Sequence, residues 1–208
     1  MSVYNGEAYL REALDSILHQ SYSSFEFIII NDGSTDGTQD ILEDYHDPRI
    51  RLYHQENQGL SSSLNRGIAL AQGEYIARMD ADDISQPDRL HRQVAFLDCH
   101  PEIGLVGSSI QTMDFQGVLK KKIHYPLDHH LIRWSMCFIN PLAHPTVMMR
   151  RSAVNATTGY NPDTEPAEDY DLWTRLSNTT RLANLSDPLV SVSYTHLRAH
   201  ETVLELVC

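Results

Sequence analysis

Phe25-Glu26-Phe27-Ile28-Ile29-Ile30 runs directly into Asn31-Asp32-Gly33-Ser34-Thr35-Asp36-Gly37. Apart from Glu26, the first six residues are β-branched or aromatic, as expected of a strand buried on both faces. The next seven are turn formers, and a short helix around residues 39–45 follows them. On the N-terminal side, Ala8, Leu10, Ala13, Leu14, Ile17 and Leu18 fall on one helical face across residues 7–20. On the C-terminal side, residues 49–54 read as a strand, 60–72 as a helix ending near Gly73, 75–79 as a strand, 87–99 as a helix and 103–113 as a strand. Strands alternating with helices imply right-handed crossovers and an α/β fold whose central sheet is mostly parallel, with flanking helices. Such sheets bind ligands at the carboxyl ends of their strands. The acidic loops at residues 32–36 and 80–83 both leave strands at that edge and are expected to face one shared site. Beyond residue 115 the pattern predicts a helix over 124–136, a strand over 145–149 and a helix over 167–176, the last preceded by a turn at Asn161-Pro162.

A chain of 208 residues is long enough for one domain with a sizeable core, with or without a short appendage. Sixteen basic against 28 acidic residues give a formal charge of −12, which argues against nucleic-acid binding, since phosphate contacts need clustered Lys and Arg. The one basic run, Lys120-Lys121-Lys122, reads as a solvated loop. Cys99, Cys137 and Cys208 show neither metal-ligand nor disulfide spacing, which fits a reducing compartment. No apolar run approaches membrane-spanning length. The sequons at Asn155, Asn178 and Asn184 would matter only in a secreted eukaryotic protein.

The chemistry concentrates in Tyr75-Ile76-Ala77-Arg78-Met79-Asp80-Ala81-Asp82-Asp83. Carboxylates this close repel one another unless a cation lies between them. Hard divalent ions take oxygen ligands, and Mg²⁺ or Mn²⁺ is typically shared between one or two carboxylates and a substrate's phosphates. An isolated D-x-D is more often a solvated acidic turn, so the pair needs its context. A second pair, Glu168-Asp169, stands at a helix start, where capping and the helix dipole account for it on spacing alone; the functional reading makes one of the two a general base toward an attacking hydroxyl. His144, in Asn140-Pro141-Leu142-Ala143-His144-Pro145-Thr146, is either a hydrogen-bonded core histidine or part of the same cleft. Asp32, Ser34, Asp36, Gly37 and Glu43 also fall at EF-hand calcium-loop positions, but a strand enters this loop, polar Gln39 takes an apolar position and no second hand follows.

Taken together, four ordered segments resemble family 2 glycosyltransferases of the GT-A fold. They are Val3-Tyr4-Asn5-Gly6, residues 31–38, Met79-Asp80-Ala81-Asp82-Asp83 and Glu168-Asp169-Tyr170-Asp171-Leu172-Trp173; the likeness runs from Met1 to about Ser191. Each segment alone is weak, but their order and spacing are specific. The resemblance implies an inverting transfer of a sugar from a nucleotide-diphosphate donor to the hydroxyl of a glycan or lipid-linked acceptor. Val3 and Tyr4 would edge the base pocket, Asp32 would bond the nucleobase, Asp80 would meet the ribose or diphosphate, and Asp82 would be the principal ligand of Mg²⁺ or Mn²⁺. Asp169 would be the base, Glu168 would orient the site, and His144 would lie on the acceptor side. Asn57-Gln58-Gly59 and Asn65-Arg66-Gly67 match the loop and helix near the nucleotide, while Leu64 stands where many members carry Arg.

The resemblance further implies a cytoplasmic enzyme of bacterial cell-surface polysaccharide synthesis, with no obligatory protein partner and with room for peripheral association at the inner face of a membrane. The departures lie at the ends. A family strand normally precedes Val3, and the residues from Val192 to Cys208 resemble a translated sequencing adapter, which discounts the His196-x-x-x-His200-Glu201 zinc spacing. The expected organisation is a GT-A domain over residues 1–191, truncated at its N-terminus, and a non-native tail over 192–208. A catalytically inactive nucleotide-sugar-binding fragment is the alternative.

Overall fold

In the computed structural model, which describes residues 1–114 and 116–193, the chain builds two sheets. The first is parallel and has the spatial order β1 (Ser2–Val3), β2 (Phe27–Asp32), β3 (Ile50–Gln55). Helices α1 (Leu10–Leu18) and α2 (Thr38–Glu43) make its crossovers, and α3 (Leu60–Leu70) follows β3. The periodicity of α1 does its work here: Leu10, Ala13, Leu14 and Ile17 are buried, and Leu10, Leu14 and Ile17 pack with Val3, Phe27, Ile29 and Leu42.

The second sheet contains β4 (Tyr75–Ala77), β5 (Ile84–Ser85), β6 (Ile103–Met113), β7 (Leu119–Ile123), β8 (Met148–Arg150) and β9 (Arg181–Ser193), in the order β4-β8-β6-β9-β5, with β7 beside β6. Helices α4 (Arg89–Cys99), α5 (His129–Ser135), α6 (Arg151–Asn155) and α7 (Glu168–Leu176) flank it. The α/β class and the flanking helices are as expected, but the parallel arrangement does not extend through this sheet. Among the described residues β6 and β9 are its parallel pair, whereas β4–β8, β5–β9, β6–β7 and β6–β8 are antiparallel. The reason is local at β6–β7, where a turn held by Asp114 reverses the chain without a helical crossover. Lys120-Lys121-Lys122, expected as a loop, is therefore the exposed middle of β7. The strand expected over 145–149 starts later, at Met148, after a 3-10 turn at His144–Thr146.

Of the apolar clusters that result, the first lies under the parallel sheet, and another gathers Leu64, Leu105, Ile132, Met149, Leu172 and fully buried Trp173. Leu64, at the position where Arg was anticipated, thus serves packing. The segment after β4 bridges the sheets, because Met79 and Ala81 pack into the first core. Val192 and Ser193 close β9 against Thr112 and Met113, while residues 194–208, with the rest of the expected tail and its zinc spacing, lie outside the described residues.

Candidate active site

Three loops meet at the carboxyl edge of the parallel sheet, and their sequences explain how. Asn5, with φ of 52°, turns the chain out of β1, and its side-chain oxygen accepts the Thr35 N–H at 2.8 Å. Glu7 and Asp36 exchange bonds across the same seam: the Glu7 N–H donates to Asp36, and the Gly37 N–H donates to Glu7. Gly33 adopts φ of +75°, and a Cβ there would stand 2.7 Å from the Asn57 nitrogen, so only glycine lets the 56–59 loop close on it.

Asp32 is the clasp between these loops. Its carboxylate accepts the Gln55 side-chain amide at 2.6 Å and the Gln58 and Gly59 N–H groups at 3.0 Å. Gln55 in turn accepts from Arg66, tying Asn65-Arg66-Gly67 on α3 into the same network. Val3 has its side chain in the core, while Tyr4 and Asn57 are exposed. The calcium-loop arrangement is not formed, since Asp32 and Asp36 face main-chain N–H groups. Among the described residues no group of three or more His, Cys, Asp or Glu side chains gathers as a metal site.

The D-x-D segment reaches this edge from the other sheet. A Cβ on Gly6 would lie 3.8 Å from that of Ala81, which puts the residue between Asp80 and Asp82 against the β1–α1 loop. Arg78 is buried and ion-paired with Asp80; burial opposes its charge, but Asp80 beside it holds its pKa above the ordinary value. Behind it, fully buried Arg89 donates to the Arg78 carbonyl at 2.6 Å, and burial followed by the Arg78 charge pulls its pKa down to about 9. Asp83 is buried and accepts the Ser193 N–H at 2.9 Å. The oxygens of Asp80 and Asp82 form a hard donor set; an ion such as Mg²⁺ or Mn²⁺ takes one or two carboxylates and fills its sphere with water and phosphate oxygens. On that ground the residues fit the ion.

The opposite wall is the start of α7. Glu168 and Asp169 are both buried. Asp169 accepts from the Asn140 side chain at 2.7 Å and from the Tyr170 N–H at 2.6 Å. Glu168 lies 4.0 Å from the His144 Nδ1, and the His144 Nε2 is hydrogen-bonded to the Tyr160 hydroxyl at 2.9 Å. Burial raises the Glu168 pKa, the charges of Asp169 and Glu165 add to this, and a main-chain hydrogen bond and the Arg78 charge oppose it. Burial likewise raises Tyr160, which feels Arg78, Asp169, Glu168 and Asp80 together. The charges of the D-x-D segment and of the start of α7 therefore act on the same buried groups, Tyr160 and Glu168. Glu165 joins this wall to the first, accepting the Ser61 N–H at 2.8 Å at the start of α3.

The geometry places Glu168 beside His144 and Asp169 beside Asn140, pairs Asp80 with Arg78, and ties Asp32 to the 56–59 loop that carries Asn57. Arg78, Asn140, Tyr160 and Glu165 carry no role in the sequence reading. A signal for two of them was present, since Arg78 is the lone cation in the D-x-D segment and Asn140 opens the segment that contains His144.

Residues 1–158 match the family model described as glycosyl transferase family 2. The chain belongs to glycosyl transferase family 2. It is 40% identical over 199 residues to EpsE of Bacillus subtilis, a match that covers 92% of this chain and 70% of EpsE. It is 36% identical over 197 residues to the O-antigen biosynthesis glycosyltransferase WbnJ of Escherichia coli, covering 92% of this chain and 76% of WbnJ. Residues 1–349 of Staphylococcus aureus TarS, solved in complex with UDP, superpose with a TM-score of 0.77 at 22% identity, over 92% of this chain and 58% of that one. That likeness shows the fold: the family 2 chain is an α/β protein of the GT-A type, and it spans only part of the length of these relatives.

Proposed function

We propose that this family 2 chain transfers a sugar from a nucleotide-diphosphate donor to an acceptor hydroxyl, with inversion at the anomeric carbon. The observation that carries the proposal is the pair of buried carboxylates at the start of α7, Asp169 held by Asn140 and Glu168 beside His144, whose charges act together with the Arg78–Asp80 pair on buried Tyr160. Tyr4, Asn57 and the Asp32-anchored loops would cradle the nucleoside. Asp80 would meet the ribose or diphosphate, and Asp82 would hold a divalent ion, Mg²⁺ or Mn²⁺. When bound, that ion would neutralise charge developing on the leaving diphosphate. It also answers an electrostatic need, because a chain of charge −12 offers an anionic donor little attraction of its own.

Asp169 takes the proton of the acceptor hydroxyl as its oxygen attacks the anomeric carbon. The bond from that carbon to the diphosphate breaks, and its electron pair leaves with the diphosphate. Glu168, with its raised pKa, and His144 shape the acceptor side. WbnJ is named for O-antigen biosynthesis and TarS was solved with UDP, which supports a glycan-building role and a nucleotide donor. Leu131, Trp134 and Phe138 are exposed on and just beyond α5, whose chain leads into Asn140, and this apolar surface beside the cleft suits a lipid-linked acceptor at a membrane. No described helix is long and apolar enough to cross one.

Calorimetric titration with UDP tests the donor half. Binding is expected with Mn²⁺ and is expected to weaken about tenfold or more on chelation or in Asp82→Ala. Equal affinity in all three conditions would overturn the metal assignment.

A further inference from the structure

We infer that Asn140 is the positioning residue of Asp169, a neutral donor that fixes one of its carboxylate oxygens. This rests on the reading of Asp169 as the base. The Asn140 amide donates to the Asp169 Oδ2 at 2.7 Å, and the Asn140 Oδ1 accepts the Leu142 N–H at 3.4 Å. That second bond sets the orientation of the amide. A flipped Asn would turn its oxygen toward a carboxylate and its NH₂ toward an N–H donor, two repulsive contacts.

The placement is reinforced from both sides. The end of α5 is pinned to α7 by the Tyr170 hydroxyl, which donates to the Met136 carbonyl, while the Tyr170 N–H donates to the Asp169 Oδ1. Segment 136–140 therefore grips two consecutive residues of α7, and each Asp169 oxygen receives at least one fixed donor. Four residues on, the same segment presents His144 to Glu168. One loop thus meets adjacent carboxylates with different chemistry, an amide for Asp169 and an imidazole for Glu168.

The choice of an amide has a consequence. A guanidinium or ammonium at this distance would depress a carboxylate pKa by about 1–3 units and weaken it as a base, whereas an amide orients it at smaller cost in basicity. Among the described residues, titratable groups coupled to Asp169 include Glu168 on its own helix, Tyr125 ahead of α5 and Tyr160. Tyr125 feels Asp169 directly: burial, and then the Asp169 charge, pushes it up to about 12. His144 and Arg78 act on neighbouring Glu168.

The test uses the full chain. The pKa of Asp169 is read from carboxyl ¹³C shifts, with Asp169→Asn assigning the resonance, and kcat and donor KM are read from UDP release by UDP-GlcNAc in the presence of acceptor glycosides. Asn140→Ala is expected to raise the Asp169 pKa by about one unit, and to lower kcat about 10- to 100-fold with donor KM unchanged. The near-isosteric Asn140→Asp is expected to raise that pKa further, by like charge, without opening a cavity. An unmoved Asp169 pKa in both folded variants overturns the inference, as does a loss confined to donor KM. Wild-type turnover in Asp169→Asn instead overturns the base assignment itself, and is distinguishable because it does not involve Asn140.

Discussion

At Asp32 the carboxylate holds two loop N–H groups and a side-chain amide, although the residue is almost wholly buried. Asp32→Ala leaves the Gln58 and Gly59 donors without this acceptor and is expected to cost about 2–4 kcal/mol, read from urea unfolding. Glu168 gives a second prediction, in pH. Its folded pKa is raised, so the stabilisation from its proton is fully present below the unfolded value near 4.5 and is lost as pH rises through the folded value. Glu168→Gln is expected to remove that decline, so that its melting temperature exceeds that of wild type increasingly as pH climbs through this window. A parallel loss in both proteins would contradict the assignment. At this scale the sequence showed residue types but not partners. Asp80 and Asp169 were legible because carboxylates stand out, whereas Asn140 was not, since an amide before Pro141 reads as an ordinary turn until the fold carries it 29 positions along the chain to α7.

Among the elements, α3 shows how the two walls of the cleft are joined. Its first turn contains no acidic residue, and the negative charge suited to the helix N-terminus comes instead from Glu165, 104 positions away, through the Ser61 N–H. Glu165→Gln keeps the shape and removes the charge; a loss of about 0.5–1.5 kcal/mol in thermal or urea melts is expected, together with weaker UDP binding as the 56–59 loop loosens. Unchanged stability and affinity would show that the contact is incidental. The parallel strands and most helices could be read directly, because buried runs and helical faces are local patterns. Strand β9 could not. Asp187-Pro188 interrupts its pattern, and the β6–β9 register shifts between Ser108 and Ser109, where Ser109 meets Pro188, so only its long partner β6 makes the segment a strand.

For the molecule as a whole, the D-x-D segment links the two sheets: it leaves β4 in the second sheet and packs into the core of the first. An alternation of strands and helices predicts one mostly parallel sheet, because local sequence gives each element's type and not its neighbours. The sequence nevertheless placed both acidic loops at one edge, and that survived because Met79 and Ala81 anchor the D-x-D segment beside Val3. In the proposed sugar transfer from a nucleotide diphosphate, Asp169 accepts the proton of the acceptor hydroxyl. The direct measurement is the kcat of Asp169→Asn for UDP-sugar turnover with acceptor, set beside UDP affinity in the same protein. A fall of about 10²- to 10⁴-fold in kcat with UDP affinity retained is the predicted result; wild-type kcat in a folded, UDP-binding Asp169→Asn protein would contradict it.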